Sequence, residues 1–384
     1  MNYTNELREY VIKMRRHFHK FPEVSFEEKE TSKKIQEELA LMGIPFEVVG
    51  DYGVVGTIVG KKPGKIVALR ADIDALSIKE ENTCEFKSAN EGFMHACGHD
   101  GHIATLLGSA KYLQSQVENI EGTIKLLFQQ AEETGKGAKV LIEHGVLKDV
   151  EKIFGLHLWA DFETGTVNLD PGARMAAVGV FKIELEGIGG HGAMPHQCVD
   201  PIVAGASLVQ NLQTIISREV NPTDTAVITI GKFNSGSRFN VIAQDAVLEG
   251  TTRTFSKELI KEIPEKMERV IKYTGEAFRV KTKFSHEWAI GQVLVNDAEV
   301  VDKIQGMIKE KLPEINLFQC EKMPIGEDMA FLLNEVPGAF AFVGCGNKSK
   351  GIIYPHHHPK FDIDEDALEI AVKLCCETAF LYLK

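Results

Sequence analysis

The sequence predicts an α/β protein of two domains, one inserted into the other, and three features of its pattern carry that prediction. Short β-rich runs alternate with helically spaced apolar residues through positions 1–177, the arrangement of a sheet with helices packed on it. Between 178 and 287 the order becomes βαββαβ, a complete ferredoxin-like unit. The opening style then returns over 288–384, so the main domain is discontinuous.

The elements follow in order. Residues 4–18 and 27–42 place Leu7, Val11 and Met14, then Ile35, Leu39 and Leu41, at helical spacing, with Gly43 just past the second helix. Strands are predicted over 54–59, 65–70, 123–128 and 152–157, with helices over 101–116 and 137–144. The inserted unit reads as strand 178–186, helix 201–217, strands 225–233 and 246–255, helix 258–277 and strand 280–286. A helix over 298–311, a buried strand over 338–343 and a closing helix over 366–382 complete the chain.

At 384 residues, with 44% hydrophobic and 26% charged side chains, the chain is long enough for a self-sufficient core and too apolar for disorder. Its net charge of −12 repels polyanions, so nucleic acid and acidic membrane surfaces are not expected partners and small ligands are. Seven scattered cysteines, an odd number in a chain this long, are expected to be reduced thiols. The first twenty residues lack the apolar block of a secretory signal, and no apolar run reaches membrane-spanning length, which reads as a cytoplasmic protein.

Chemistry concentrates in His95-Ala-Cys97-Gly-His99-Asp100-Gly-His102, just before a predicted helix. In an extended segment Cys97 and His99 share a face, leaving Asp100 free to cap the helix; thiolate with imidazole suits a transition metal such as zinc rather than calcium. Three further segments add polar groups at the expected ends of buried strands. In Gln129-Gln-Ala-Glu132-Glu133, extended neighbours point in opposite directions, so one carboxylate can bind metal while the other serves as a base; an isolated Glu-Glu pair would otherwise read as solvated loop acids. His157 lies in an apolar run, where a hydrogen-bonded core histidine is the common alternative. His356-His357-His358, flanked by prolines, could equally form a solvated turn. Ligands of open α/β sheets collect beyond the carboxyl ends of strands, where these segments are expected to meet.

The sequence resembles the metal-dependent amidohydrolases of peptidase family M20, in the branch of hippurate hydrolases, N-acyl-amino-acid amidohydrolases and auxin-conjugate hydrolases. The resemblance spans the chain. Its marks are Arg15-Arg16 with His19 and Pro22-Glu23, Arg70-Ala-Asp72-Ile-Asp74-Ala-Leu76, the segment from His95 to His102, and Gln130-Ala-Glu132-Glu133. Further marks are Gly189-Gly-His191-Gly-Ala-Met-Pro195-His196, Asn240-Val-Ile, Gly250-Thr-Thr-Arg253-Thr, Gly326-Glu-Asp328 and His357-His-Pro359.

The resemblance implies a metallo-exopeptidase-like α/β catalytic domain with an inserted lid that also forms a homodimer contact. It implies two divalent ions per subunit (Zn, Mn, Co or Ni), bridged by Cys97 and held further by His99, Glu133, His157 and His357. His357 is preferred because the family's ligand stands two residues before the proline. Glu132 becomes the general base for a metal-activated water, His191 polarises the substrate carbonyl, Asn240 and Arg253 are substrate-binding candidates, and Asp72 and Asp74 orient ligands. The expected substrate is an N-acyl amino acid, hippurate-like or N-acetylated, with N-acetyl-diaminopimelate deacetylation as the alternative. Ser77, Gln130 and Ala243 stand where the family commonly has proline, and none of them removes a ligand. Two readings of other classes stand beside this one: a cysteine hydrolase using Cys97 and His99, and a noncatalytic metal- or peptide-binding protein.

Overall fold

A computed structural model describes residue 1 and residues 3–383. The chain forms two compact units: Met1–Gly172 with Val295–Glu321 and Glu327–Lys384, and Ala173–Leu294 with Lys322–Gly326. The second unit thus begins and ends several residues outside the expected 178–287 and takes in a short returning segment.

In the first unit eight strands form one sheet in the order Phe46–Val49, Gly53–Val59, Glu121–Gln129, Lys62–Asp72, Lys152–Glu163, Gly338–Gly346, Thr166–Asn168, Asn316–Phe318. The four central strands run parallel. Three short strands at or next to the edges, Phe46–Val49, Thr166–Asn168 and Asn316–Phe318, are additions to the sequence reading; each is too short to show a period of its own. The central strands also run further than expected. Lys62–Asp72 ends level with Gln129, and Arg70 pairs with Gly155, so His157 lies level with Asp72 while its own strand continues to Glu163. His157 is therefore a mid-strand residue placed where its neighbour stops.

One face of this sheet, with Leu69, Ala71, Leu126, Phe128, Leu156 and Leu158, packs against the helices Asn5–Lys20, His99–Ser115 and Asp366–Leu383. The first helix is capped by the Thr4 hydroxyl, which accepts the Leu7 N–H at 3.2 Å, and buries Leu7, Val11, Met14 and Phe18 at i, i+4, i+7 and i+11.

Asp100 does not cap the helix as expected. The helix already begins at His99 behind Gly98 (φ 89°), and the Asp100 carboxylate instead accepts from Arg15 Nε and pairs with His19 Nδ1, both at 2.9 Å. Burial would raise the Asp100 pKa, but Arg15 and His19 outweigh it and hold the group far below the ordinary carboxylate range. Arg15 is itself fully buried and also reaches Asp362. Replacing it by methionine strands a buried carboxylate, and Arg15→Met is expected to lose about 3–5 kcal/mol of stability in urea unfolding at pH 7. Because the Asp100 pKa is depressed, its contribution exists above the unfolded value of about 3.9 and fades as pH falls through the folded one, so the gap between variant and parent should narrow in acid.

In the second unit a four-stranded antiparallel sheet runs Ala226–Ser235, Asp245–Thr254, Ala177–Glu186, Lys281–Ile290. The helices Pro201–Thr214 and Lys257–Phe278 bury Leu208, Leu212, Ile263 and Met267 against Ile183, Leu185 and Leu248. This strand order, with the first and third strands central, is that of a ferredoxin-like unit.

Candidate metal centre

The candidate centre lies wholly within the first unit, at the carboxyl ends of the central strands. Cys97 and His99 do converge, though not through extended alternation. Gly98, in the left-handed region, turns the chain so that a loop residue and the first helical residue aim at one point. Glu132 and Glu133 likewise sit in a turn after the strand ends at Gln129, not on extended chain, and Ala131 before them has φ 54°.

The ligand atoms of Cys97, His99 and His157 lie within 4.8 Å of one another, as do those of Cys97, Glu133 and His357, and those of His99, Glu132 and Glu133. The Cys97 sulfur belongs to two of these groups and stands 3.5 Å from His157 Nε2. His357 Nε2 is 3.5 Å from Glu133 Oε1.

Backbone partners decide which histidine nitrogens are available. His99 Nδ1–H donates to the Asp74 carbonyl at 2.9 Å, and His157 Nδ1–H to the Leu158 carbonyl at 2.8 Å, which leaves each Nε2 lone pair directed into the centre. His102 is different: its Nε2 accepts the Leu158 N–H at 2.9 Å while Nδ1 donates to Asp72, so both nitrogens are consumed. Among the three adjacent histidines, His356 donates to the Leu158 carbonyl and His358 stacks on Tyr354, its Nδ1 accepting the Lys360 N–H. Only His357, in the left-handed conformation (φ 64°) with its N–H on the Ala96 carbonyl, reaches Glu133.

The residues fit a pair of divalent cations. His99 Nε2 and Glu133 Oε1 are buried with no hydrogen-bond partner among the described residues, a cost that a bound cation would remove. Burial disfavours a charged His99, yet Asp72, Asp74 and Glu133 outweigh it and raise its pKa to about 10, which marks a pocket with excess negative charge. Burial, then Glu327, Glu133, Asp328 and Asp72, push the Glu132 carboxyl well up. Burial and the neighbouring carboxylates likewise raise the Cys97 thiol, the opposite of what a cysteine nucleophile needs without a metal.

A model of peptidase family M20/M25/M40 matches residues 68–380. The chain belongs to that family. An N-acetyl-L-cysteine deacetylase of Bacillus subtilis (strain 168) is 41% identical over 97% of this chain and 88% of its own length. An N-acyl-L-amino acid amidohydrolase of Geobacillus stearothermophilus is 42% identical over 77% of this chain and 80% of its own. The crystal structure of a dinuclear metal binding M20 peptidase from Bacillus subtilis superposes with a TM-score of 0.87 at 34% identity, covering 99% of each chain.

Around the candidate ligands this M20 chain builds a layer in which sequence reading assigned roles only to Asp72 and Asp74. Arg70, fully buried, donates to Gln129 Oε1 (2.9 Å), Asp72 Oδ2 (2.8 Å), Glu327 Oε1 (3.0 Å) and Asp328 Oδ1 (2.9 Å). The Asp328 N–H in turn donates to Glu132 Oε1 at 3.4 Å. An arginine inside an apolar strand was the signal that could have exposed this network. Asp72 ties His102 to Arg70, and Asp74 accepts the N–H groups of Glu132 (3.1 Å) and Glu133 (3.0 Å).

The remaining candidates stand on the second unit. His191 and Asn240 are exposed neighbours, on and beside the paired short strands Gly190–His191 and Val241–Ile242. Arg253 is half-buried, its guanidinium bonded to the Pro324 and Thr252 carbonyls and the Thr251 hydroxyl.

Proposed function

We propose that this amidohydrolase cleaves the amide bond of N-acyl amino acids, with Glu132 as general base and Cys97, His99, Glu133, His157 and His357 as ligands of two divalent ions. The observation that carries the reading is the convergence of two candidate ligand groups on the Cys97 sulfur, with the Glu132 carboxyl beside His99 and Glu133. The relatives named for N-acyl-L-amino acid and N-acetyl-L-cysteine hydrolysis support the substrate class.

The ions, when bound, supply Lewis acidity for the carbonyl and bring the pKa of a water towards neutrality. Glu132 would take the proton of such a water and return it to the departing amine. The Asp328 N–H and the Asp74 clamp on the turn keep its carboxylate aimed. His191 is proposed to polarise the carbonyl, and Asn240 and Arg253 to hold the substrate carboxylate. A homodimer formed through the second unit and a cytoplasmic location are part of the same proposal; an odd number of cysteines scattered through a chain of this length fits a reducing compartment.

The test is a panel of acetyl, benzoyl and indole-acetyl amino acids given to chelated protein and to protein reloaded with Mn, Zn or Co. Hydrolysis that vanishes on chelation and returns with metal is expected. Turnover that survives chelation would favour the cysteine hydrolase, and no hydrolysis of any substrate by the loaded protein would favour a binding role.

A further inference from the structure

We propose that Glu28 is a positioning residue for the catalytic turn, keeping Glu132 aimed through the N–H of Ala131. The inference rests on the reading of Glu132 as general base. Three consecutive N–H groups of this turn end on buried carboxyls: Ala131 on Glu28 Oε1 at 2.7 Å, Glu132 on Asp74 Oδ1 and Glu133 on Asp74 Oδ2. Asp74 therefore orients two of the three, and Glu28, more than a hundred positions upstream, holds the residue where the chain reverses.

That residue is strained. Ala131 has φ 54°, a conformation costing about 1–2 kcal/mol for an L side chain, so something must hold it there. Glu28 is an expensive way to do so. It is 0% exposed, its Oε2 has no hydrogen-bond partner among the described residues, and burial together with nearby Asp74 raises its pKa to about 8. An apolar side chain would avoid burying a carboxyl but would leave the Ala131 N–H without its acceptor. The segment around Glu28 is tied to the same place twice more: the Ser25 hydroxyl donates to Asp74 at 2.6 Å, and the Glu23 carbonyl accepts the Ala75 N–H at 2.8 Å.

The test compares Glu28→Leu, Glu28→Asp and Glu28→Gln by kcat, KM, metal content and backbone hydrogen exchange over 128–136, with Glu132→Gln measured alongside. Leucine removes the acceptor and aspartate withdraws it by a methylene, whereas glutamine keeps it. The leucine and aspartate variants are expected to hold both metals and an unchanged KM, to lose about ten- to a hundredfold in kcat, and to exchange the 131–133 amides about tenfold faster. Glutamine should restore both readouts. If leucine fails to fold, the aspartate–glutamine comparison decides. Parental kcat and exchange in either acceptor-deficient variant would overturn the proposal, as would a kcat loss that merely follows lost metal. Normal turnover by Glu132→Gln would instead sink the assigned base, and the exchange data would still report on the turn.

Discussion

Glu132→Gln is expected to retain its two metal ions and lose about 10²- to 10⁴-fold in turnover of the best acyl amino acid, the range over which a positioned acid–base group contributes. The substitution preserves volume and leaves an oxygen to accept the Asp328 N–H, so the ligands and the Asp74 clamp should be undisturbed. What it removes is the proton acceptor. Metal analysis and steady-state kinetics on the same sample separate the two effects: full metal with near-parental kcat would exclude Glu132 as the base, and lost metal would reassign it as a ligand. The convergence of Glu132 with His99 and Glu133 makes that second outcome a meaningful one.

Arg70→Met should be the most damaging substitution away from the ligands. The guanidinium serves Asp72, Glu327 and Asp328 at once, and without it three buried carboxyls face one another beside Glu132. Breaking a buried ion pair from one side costs about 3–5 kcal/mol, and kcat should fall as Asp72 and the loop bearing Asp328 lose their register. The dependence on pH gives a sharper signature. Burial already outweighs Arg70 in raising Glu327, and it raises Asp328 to about 7; removing the cation raises both further. A carboxyl whose folded pKa exceeds its unfolded one stabilises the fold at low pH, and that stability is lost as pH rises through the folded value. The variant should therefore be more impaired at pH 8 than at pH 5.5 in urea unfolding, and an equal deficit at both would show that the carboxyls are not what Arg70 neutralises.

Much of this was legible before any coordinates. The alternation of strands and helices, the βαββαβ insertion and the family motifs follow from residue order, because hydrophobic periodicity and turn residues act over a few positions at a time. Cys97, His99, Glu132, Glu133 and His157 stood out as metal-capable groups at the ends or in the middle of apolar runs, where such side chains are costly without a partner. The local geometry was read less well. Extended chain was expected at Cys97–His99 and at Glu132–Glu133, and both are turns, one through Gly98 and one through the strained Ala131. Asp100 was expected to cap a helix and is instead the partner of Arg15 and His19.

By itself, the sequence determined the main helices and strands, which family they make and which side chains can bind metal, since those properties reside in residue type and short-range spacing. Only the tertiary structure decided what each side chain is free to do. His99 and His157 offer Nε2 because their Nδ1–H groups are committed to the carbonyls of Asp74 and Leu158, whereas His102 has both nitrogens occupied and His357 alone of three neighbours faces Glu133. Arg70 meets Glu327 across 257 positions, and Glu28 meets Ala131 across 103. A lone pair's direction and a buried carboxyl's partner are set by backbone groups brought together from distant parts of the chain, and no local pattern encodes that meeting.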